Sequence, residues 1–180
     1  GKTIETGLCL RELIARRRAN RILIVCPAGI AEQWQEELAT KFGLEFKVFD
    51  REGVHDAKKV LEIGGNPWAT EPRVIASFDY IKRRDGAFRE LQNVRFNVIV
   101  CDEVHHLADN TQTDDVSERH RLAQWIAKAS DALLLLSATP HSGYDESFAS
   151  LLRLLEPTLV PDISKFEPFS QWTLEVNCWS

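Results

Sequence analysis

The chain opens with a lysine and a threonine, in Gly1-Lys2-Thr3. Far downstream, two adjacent carboxylates close an apolar run, in Cys101-Asp102-Glu103-Val104-His105. A lysine at the start of a helix can hold the β- and γ-phosphates of a nucleotide, and the neighbouring hydroxyl can bind magnesium. An Asp-Glu pair at a strand end can hold the same ion and polarise the water that attacks the terminal phosphate. Adjacent carboxylates repel each other unless a cation or solvent relieves them, and magnesium would do so. Taken singly, the signals are weaker. Gly1-Lys2-Thr3 is also what a solvated terminus looks like, and an acidic pair also marks a strand end reaching water. His105 and His106 raise the question of zinc, but no third or fourth ligand is spaced to join them. Ser137-Ala138-Thr139-Pro140 offers two hydroxyls after another apolar run, which a helix cap would equally use.

These groups need elements to carry them. Arg21 to Cys26 is nearly continuous in hydrophobicity, as a parallel strand buried on both faces would be. Glu45 to Phe49, Arg73 to Phe78, Phe96 to Cys101 and Ala132 to Leu136 are further strands. Between them lie helical patterns. Ile4 to Arg16 has Leu8, Leu10, Leu13 and Ile14 available for packing. A second helix places Ile30, Trp34, Leu38 and Phe42 four apart, with Gly43 positioned to stop it. Asp56 to Ile63 predicts a short helix with Val60, Leu61 and Ile63 inward, and Gly64-Gly65-Asn66-Pro67 a turn. Asp79 to Leu91, Arg119 to Ala129 and Tyr144 to Leu155 complete the helices, with a polar loop over Asp109 to Glu118. Strands alternating with helices predict an α/β fold, a three-layer parallel sheet flanked by helices. Ligands of such sheets bind beyond the carboxyl ends of the strands, where Pro27, Ser77, Asp102 and Ser137 all fall.

Composition narrows the class. The chain has 180 residues, 44% of them hydrophobic, enough for one domain with a full core. Its apolar runs, such as Ala132 to Leu136, are far short of the ~20 residues that cross a bilayer, so no membrane association is expected. The net charge of -5 argues against a free-standing nucleic-acid-binding domain. Arg16-Arg17-Arg18 and Lys82-Arg83-Arg84 are local basic clusters that a solvated helix face also explains. Cys9, Cys26, Cys101 and Cys178 lack metal-site spacing. Cys26 and Cys101 end apolar strands as buried thiols, which fits a reducing, cytoplasmic setting. With no methionine, the chain is expected to be a fragment or a processed product.

Taken together, the ordered motifs resemble the first RecA-like lobe of superfamily-two helicases, most closely the Swi/Snf-type DNA translocases in their bacterial and archaeal form. Lys2 and Thr3 match the end of motif I. Leu23 to Ala28 with Gln33-Trp34 resembles motif Ia, and Ile75 to Tyr80 resembles motif Ib. Asp102-Glu103-Val104-His105 is similar to a DEAH-type motif II, with Val104 where Ala is usual. Ser137-Ala138-Thr139-Pro140 matches motif III. The resemblance covers residues 1 to about 157. It predicts a RecA-like P-loop NTPase lobe, N-terminally truncated, over residues 1–157, followed by a linker or interdomain tail over 158–180.

The resemblance implies ATP and Mg2+ as cofactors, held by Gly1, Lys2 and Thr3, with the metal on Thr3 and Asp102. It implies Glu103 and Asp102 as catalytic residues, and Ser137, Ala138, Thr139 and His105 as the coupling between nucleotide and DNA. By analogy, Pro27, Ala28, Ser77, Phe78, Asp79 and Tyr80 lie near the backbone of DNA, expected to be duplex. Trp34 is expected to pack in the core. The front of motif I and the second RecA-like lobe are expected to be missing, and with that lobe the arginine finger, so the chain alone is expected to hydrolyse ATP negligibly. Two other classes compete. One is a non-enzymatic DNA- or protein-binding module derived from a helicase lobe, engaging a partner through the Trp/Phe-rich tail. The other is a different P-loop family such as a kinase or GTPase, which the DEAH-like and Ser-Ala-Thr motifs disfavour.

Overall fold

The structure is a computed structural model, described here for residues 1–62, 64–82, 87–103 and 121–136. Among the described residues five strands form one sheet: β1 (Ile22–Cys26), β2 (Lys47–Val48), β3 (Arg73–Ser77), β4 (Phe96–Asp102) and β5 (Ser130–Leu136). Their order is β2-β3-β1-β4-β5, and every pairing is parallel. All five residues of β1 are buried, as both-face coverage requires.

Helices α1 (Lys2–Ala15) and α2 (Ala31–Phe42) cover one face. There Leu10, Trp34 and Leu38 pack with Ile22, Ile24, Cys26, Val98 and Val100. The other face carries α3 (Arg51–Lys59), α4 (Pro67–Thr70), α5 (Phe78–Ile81), α6 (Ala87–Leu91) and helical residues 121–126. Their apolar side chains, among them Trp68, Ile81, Leu91 and Ile126, cluster with Leu23, Val25, Ile99 and Cys101. The period of two along a strand sends alternate side chains of β1 and β4 to opposite layers. Asp102 follows Val98 and Val100 in that alternation and so belongs to the α1/α2 layer.

Register brings the strand ends level. Cys26 pairs with Ser77, and Asp102 with Leu136. Pro27, Ser77 and Asp102 therefore lie along the carboxyl edge, and β1 and β4 are neighbours although distant in sequence. Gly43 ends α2 as expected, at φ +65°, with Leu44 N donating to the Leu38 carbonyl.

Several expected boundaries change. The third helix begins earlier than Asp56, because the Asp50 side chain accepts a hydrogen bond from Gly53 N (2.8 Å) and starts it at Arg51. It buries Val54 and Ala57, while Val60, expected inward, is 81% exposed just past its end. The expected strand over Glu45 to Phe49 shrinks to two residues. The expected helix over Asp79 to Leu91 is two short helices, the first started by Ser77, whose hydroxyl accepts from Tyr80 N. Pro67, expected in a turn, opens α4 behind an Asn66 cap. On α1, Leu10 is buried but Leu8 lies outward. Ser137 to Pro140, His105, His106, the loop over Asp109 to Glu118, the helix over Tyr144 to Leu155 and the tail from 158 lie outside the described residues.

Candidate active site

The carboxyl tip of β4 delivers Asp102 and Glu103 beneath the amino end of α1. Lys2 Nζ lies 2.9 Å from Asp102 Oδ1 and 2.5 Å from Glu103 Oε1. One ammonium thus bridges two adjacent carboxylates, the farther of them 101 residues away in sequence. The hairpin of charge is tightened by the backbone: Glu103 takes φ +52°, the left-handed region that an L-residue with a side chain rarely occupies. That turn points Glu103 N back onto Asp102 Oδ1 (2.9 Å). Such strain is sustained only where the surroundings over-determine it, and it concentrates at functional sites.

Asp102 is only 4% exposed, so both of its oxygens need donors. Oδ1 has Lys2 and Glu103 N. Oδ2 accepts from the indole Nε1 of Trp34 at 3.0 Å. This contact goes beyond the core packing expected of Trp34. It is core, at 2% exposure, but its polar edge reaches the acid. Its spacing with Ile30 and Leu38 signalled only an apolar face, and nothing in the sequence linked it to Asp102.

The Lys2 pKa reflects the same geometry. Burial pulls it down, but the hydrogen bonds that the ammonium donates to Glu103 and Asp102 and the charges of both acids outweigh this, so it rests above its ordinary 10.5. The neighbouring Cys26 thiol is pushed up to about 12, by burial first and then by the Asp102 charge. Burial likewise raises the thiol of Cys101. Both are the inert buried thiols expected of strand ends.

Gly1 stands as the residue before α1, and Ile4 N donates to its carbonyl. Thr3 is half-buried in the first turn, one residue from Lys2. The first N–H groups of a helix have no acceptor within it, and the helix dipole favours an anion there. Among the described residues no three His, Cys, Asp or Glu side chains form a metal cage. Magnesium that arrives with a nucleotide needs none, since one or two carboxylates, water and phosphate oxygens satisfy it. Asp102, Glu103 and the Thr3 hydroxyl are oxygen donors of the right hardness, so the residues present fit such an ion.

The expected nucleic-acid positions are less uniform. Pro27 is half-buried and Ala28 and Gly29 are exposed in a single 3-10 turn beyond β1. Ser77 is half-buried at the end of β3. Phe78 is 7% exposed and its side chain belongs to the core, which leaves its main chain at the strand end. Asp79 is exposed and pairs with Lys82 at 3.1 Å, and its charge would repel a phosphate. The half-buried Tyr80 ring stacks on Trp68, with centroids 6.4 Å apart. Of this set, Pro27, Ala28 and Ser77 remain on the strand-end surface as candidates. The coupling residues Ser137, Ala138, Thr139 and His105 lie outside the described residues.

A parallel three-layer α/β lobe with a lysine at a helix start facing two acids at a strand tip is the architecture of a RecA-like lobe. The chain belongs to the SNF2-related domain family, which it matches over residues 1–177, and it corresponds to the first lobe of Swi/Snf-type superfamily-two helicases. It is 36% identical over 166 residues to the RNA polymerase-associated protein RapA of Pectobacterium carotovorum subsp. carotovorum (strain PC1). It is 33% identical over 166 residues to RapA of Proteus mirabilis (strain HI4320). Each alignment covers 92% of this chain but 17% of the relative, so the chain spans about a sixth of their length. The Sulfolobus solfataricus SWI2/SNF2 ATPase core in complex with dsDNA shares the fold, with a TM-score of 0.66, 21% identity, and coverage of 92% of this chain and 31% of that one. The same core domain described without DNA gives a TM-score of 0.63 at 21% identity, covering 91% of this chain and 30% of that one. The family match runs past residue 157, into the segment expected to be a tail. No helix among the described residues is long and apolar enough to cross a membrane.

Proposed function

We propose that this chain is the nucleotide-binding half of an ATP-driven motor that moves on duplex DNA in the cytoplasm. The observation that carries the reading is the bridge from Lys2 to Asp102 and Glu103. An ammonium held by two acids at a strand tip is poised to exchange them for phosphate oxygens. Lys2 then neutralises the β- and γ-phosphates, while the N–H groups at the start of α1 receive the same anion. Thr3 and Asp102 would hold magnesium, which would supply charge neutralisation on the phosphates. With Lys2 drawn away, Glu103 is the base nearest the reacting end, and it orients and deprotonates the attacking water. The alternating strand register keeps the exposed turn after Pro27 and the Ser77 hydroxyl on the same edge as this site. Backbone N–H groups and hydroxyls there can meet DNA phosphates without net positive charge. The SWI2/SNF2 neighbour, captured on duplex DNA, supports that choice of track. The names of the RapA relatives make RNA polymerase a candidate partner.

The test is ATP hydrolysis by this chain and by the full-length product of its gene, each with duplex DNA, single-stranded DNA or neither. The chain alone is expected to be nearly inactive, because transition-state charge in such sites is stabilised by an arginine, worth about 10³–10⁵ in rate, that a second lobe would supply. The full-length product is expected to be stimulated by duplex DNA and silenced by Lys2→Ala and by Glu103→Gln. Stimulation absent with every DNA, or activity surviving both substitutions, sinks the proposal. Turnover of the chain alone at about one per second, abolished by Glu103→Gln, would refute its need for a second lobe.

A further inference from the structure

The two oxygens of Asp102 have different kinds of partner. Oδ1 receives Lys2 Nζ and Glu103 N, both at 2.9 Å. Lys2 is a point charge on a flexible four-carbon stem, shared with Glu103 and 31% exposed. Oδ2 receives only a ring nitrogen among the described residues, Nε1 of Trp34 at 3.0 Å, in a bond between side chains that are both nearly inaccessible. The indole is a donor and never an acceptor, and two torsions fix it. It belongs to the buried cluster that also holds Leu10, Ile24, Cys26 and Leu38. Of the two side chains that donate to Asp102, Trp34 is the rigid one, and it holds the oxygen that the backbone N–H of Glu103 does not.

Packing alone does not explain an indole at this position. Trp68, on the opposite face, is wholly buried, and its Nε1 finds no acceptor among the described residues. That is a tryptophan the fold uses for bulk. Trp34 instead spends its one polar atom on the acid at the strand tip, across 68 residues of sequence.

We propose that Trp34 is a positioning residue for Asp102. It fixes the carboxylate plane when Lys2 leaves for phosphate, so that Oδ1 stays presented to a nucleotide-bound divalent cation. This rests on the nucleotide reading above. Without the indole N–H, the buried carboxylate keeps only Glu103 N, on Oδ1, once Lys2 departs, and Oδ2 has no donor among the described residues. It would then rotate or take up water, and the cation would meet a disordered ligand. Groups that orient metal ligands in this way typically contribute about 10–100-fold in metal affinity.

The experiment compares wild type, Trp34→Phe and Lys2→Ala in the full-length gene product. Manganese is the paramagnetic probe, titrated with saturating ADP present, and metal-free ADP binding and thermal stability are measured alongside. Trp34→Phe keeps an aromatic ring and removes the donor. It is expected to weaken manganese binding about 10–100-fold and to leave metal-free ADP binding within about twofold, since Lys2 and the α1 amino end set that term. A folded Trp34→Phe protein that binds manganese–ADP like wild type overturns the proposal, as does an equal loss of ADP affinity with and without metal, the mark of a structural defect. A wild type that binds no ADP, or binds it equally well after Lys2→Ala, overturns the nucleotide reading and this inference with it. Should Trp34→Phe not fold, the indole N–H resonances of the wild type decide. The Trp34 proton is expected to stay protected from solvent when magnesium–ADP is added, and to shift in Asp102→Asn while that of Trp125 does not. A Trp34 proton that exchanges freely once magnesium–ADP binds shows that the bond breaks when it is needed, and overturns the proposal.

Discussion

Replacing Lys2 with methionine tests whether the bridge is an energetic feature or a surface accident. The substitution keeps most of the apolar stem and deletes the charge. Asp102 and Glu103, whose side chains are 6% and 24% exposed, lose the ammonium that bridges them. Removing one partner of a fully buried pair costs about 3–5 kcal/mol, and an exposed pair is worth at most about 1 kcal/mol. Lys2 is 31% exposed and Asp102 keeps Trp34 and Glu103 N as donors, so the cost should fall between, at about 2 kcal/mol. For a chain of this length that is a drop of about 4–8 °C in melting temperature. The assay is a double-mutant cycle by urea unfolding, with Lys2→Met, Asp102→Asn and the pair together. The double substitution is expected to be milder than the sum of the singles by about 1 kcal/mol or more, since it removes the stranded charge along with its partner. Singles that add to within about 0.5 kcal/mol would refute the reasoning, because the ammonium would then not be coupled to the acid.

Three further outcomes follow from the same geometry. The Lys2 pKa is raised by Glu103 and Asp102 beyond what burial removes, so its stabilisation is complete below 10.5 and is lost as pH climbs through the higher folded value. Wild type and Lys2→Met should accordingly converge in stability only in strong alkali, and convergence near neutrality would contradict the assignment. At pH 8, iodoacetamide should leave Cys26 and Cys101 unmodified in the folded chain, as mass spectrometry would report, because burial holds both thiols protonated. Rapid labelling of Cys26 would mean that the carboxyl end of β1 is open to solvent. Gly7 lies under α2, where an added Cβ would come within 2.3 Å of the Phe42 ring. Gly7→Val should cost about 1–3 kcal/mol by denaturant unfolding, and an unchanged midpoint would show that α1 and α2 do not meet there.

The legible parts of this protein were those set by local chemistry. The unbroken hydrophobicity of Ile22–Cys26 and of Val98 to Cys101 is that of strands covered on both faces, which requires helices in two layers. Gly43 could end α2 because glycine alone enters the left-handed region without strain. Helix starts were harder. Asp50 and Ser77 begin α3 and α5 through one side-chain hydrogen bond each, and hydrophobic spacing alone misplaced both elements and put the exposed Val60 inward.

The residues able to do chemistry, Lys2, Asp102 and Glu103, announced themselves in the sequence by type and setting. What they do to one another did not. Parallel register had to set β4 beside β1, and the alternation of side chains had to turn Asp102 toward the layer of α1 and α2. Only then could an ammonium from the amino end, a backbone N–H folded back at φ +52° and an indole from the next helix all reach one carboxylate. Each of those bonds joins groups that carry no mark of one another along the chain. A hydrogen bond is set by distance and angle in space, and the sequence records only the apolar periodicity that folds the space into being.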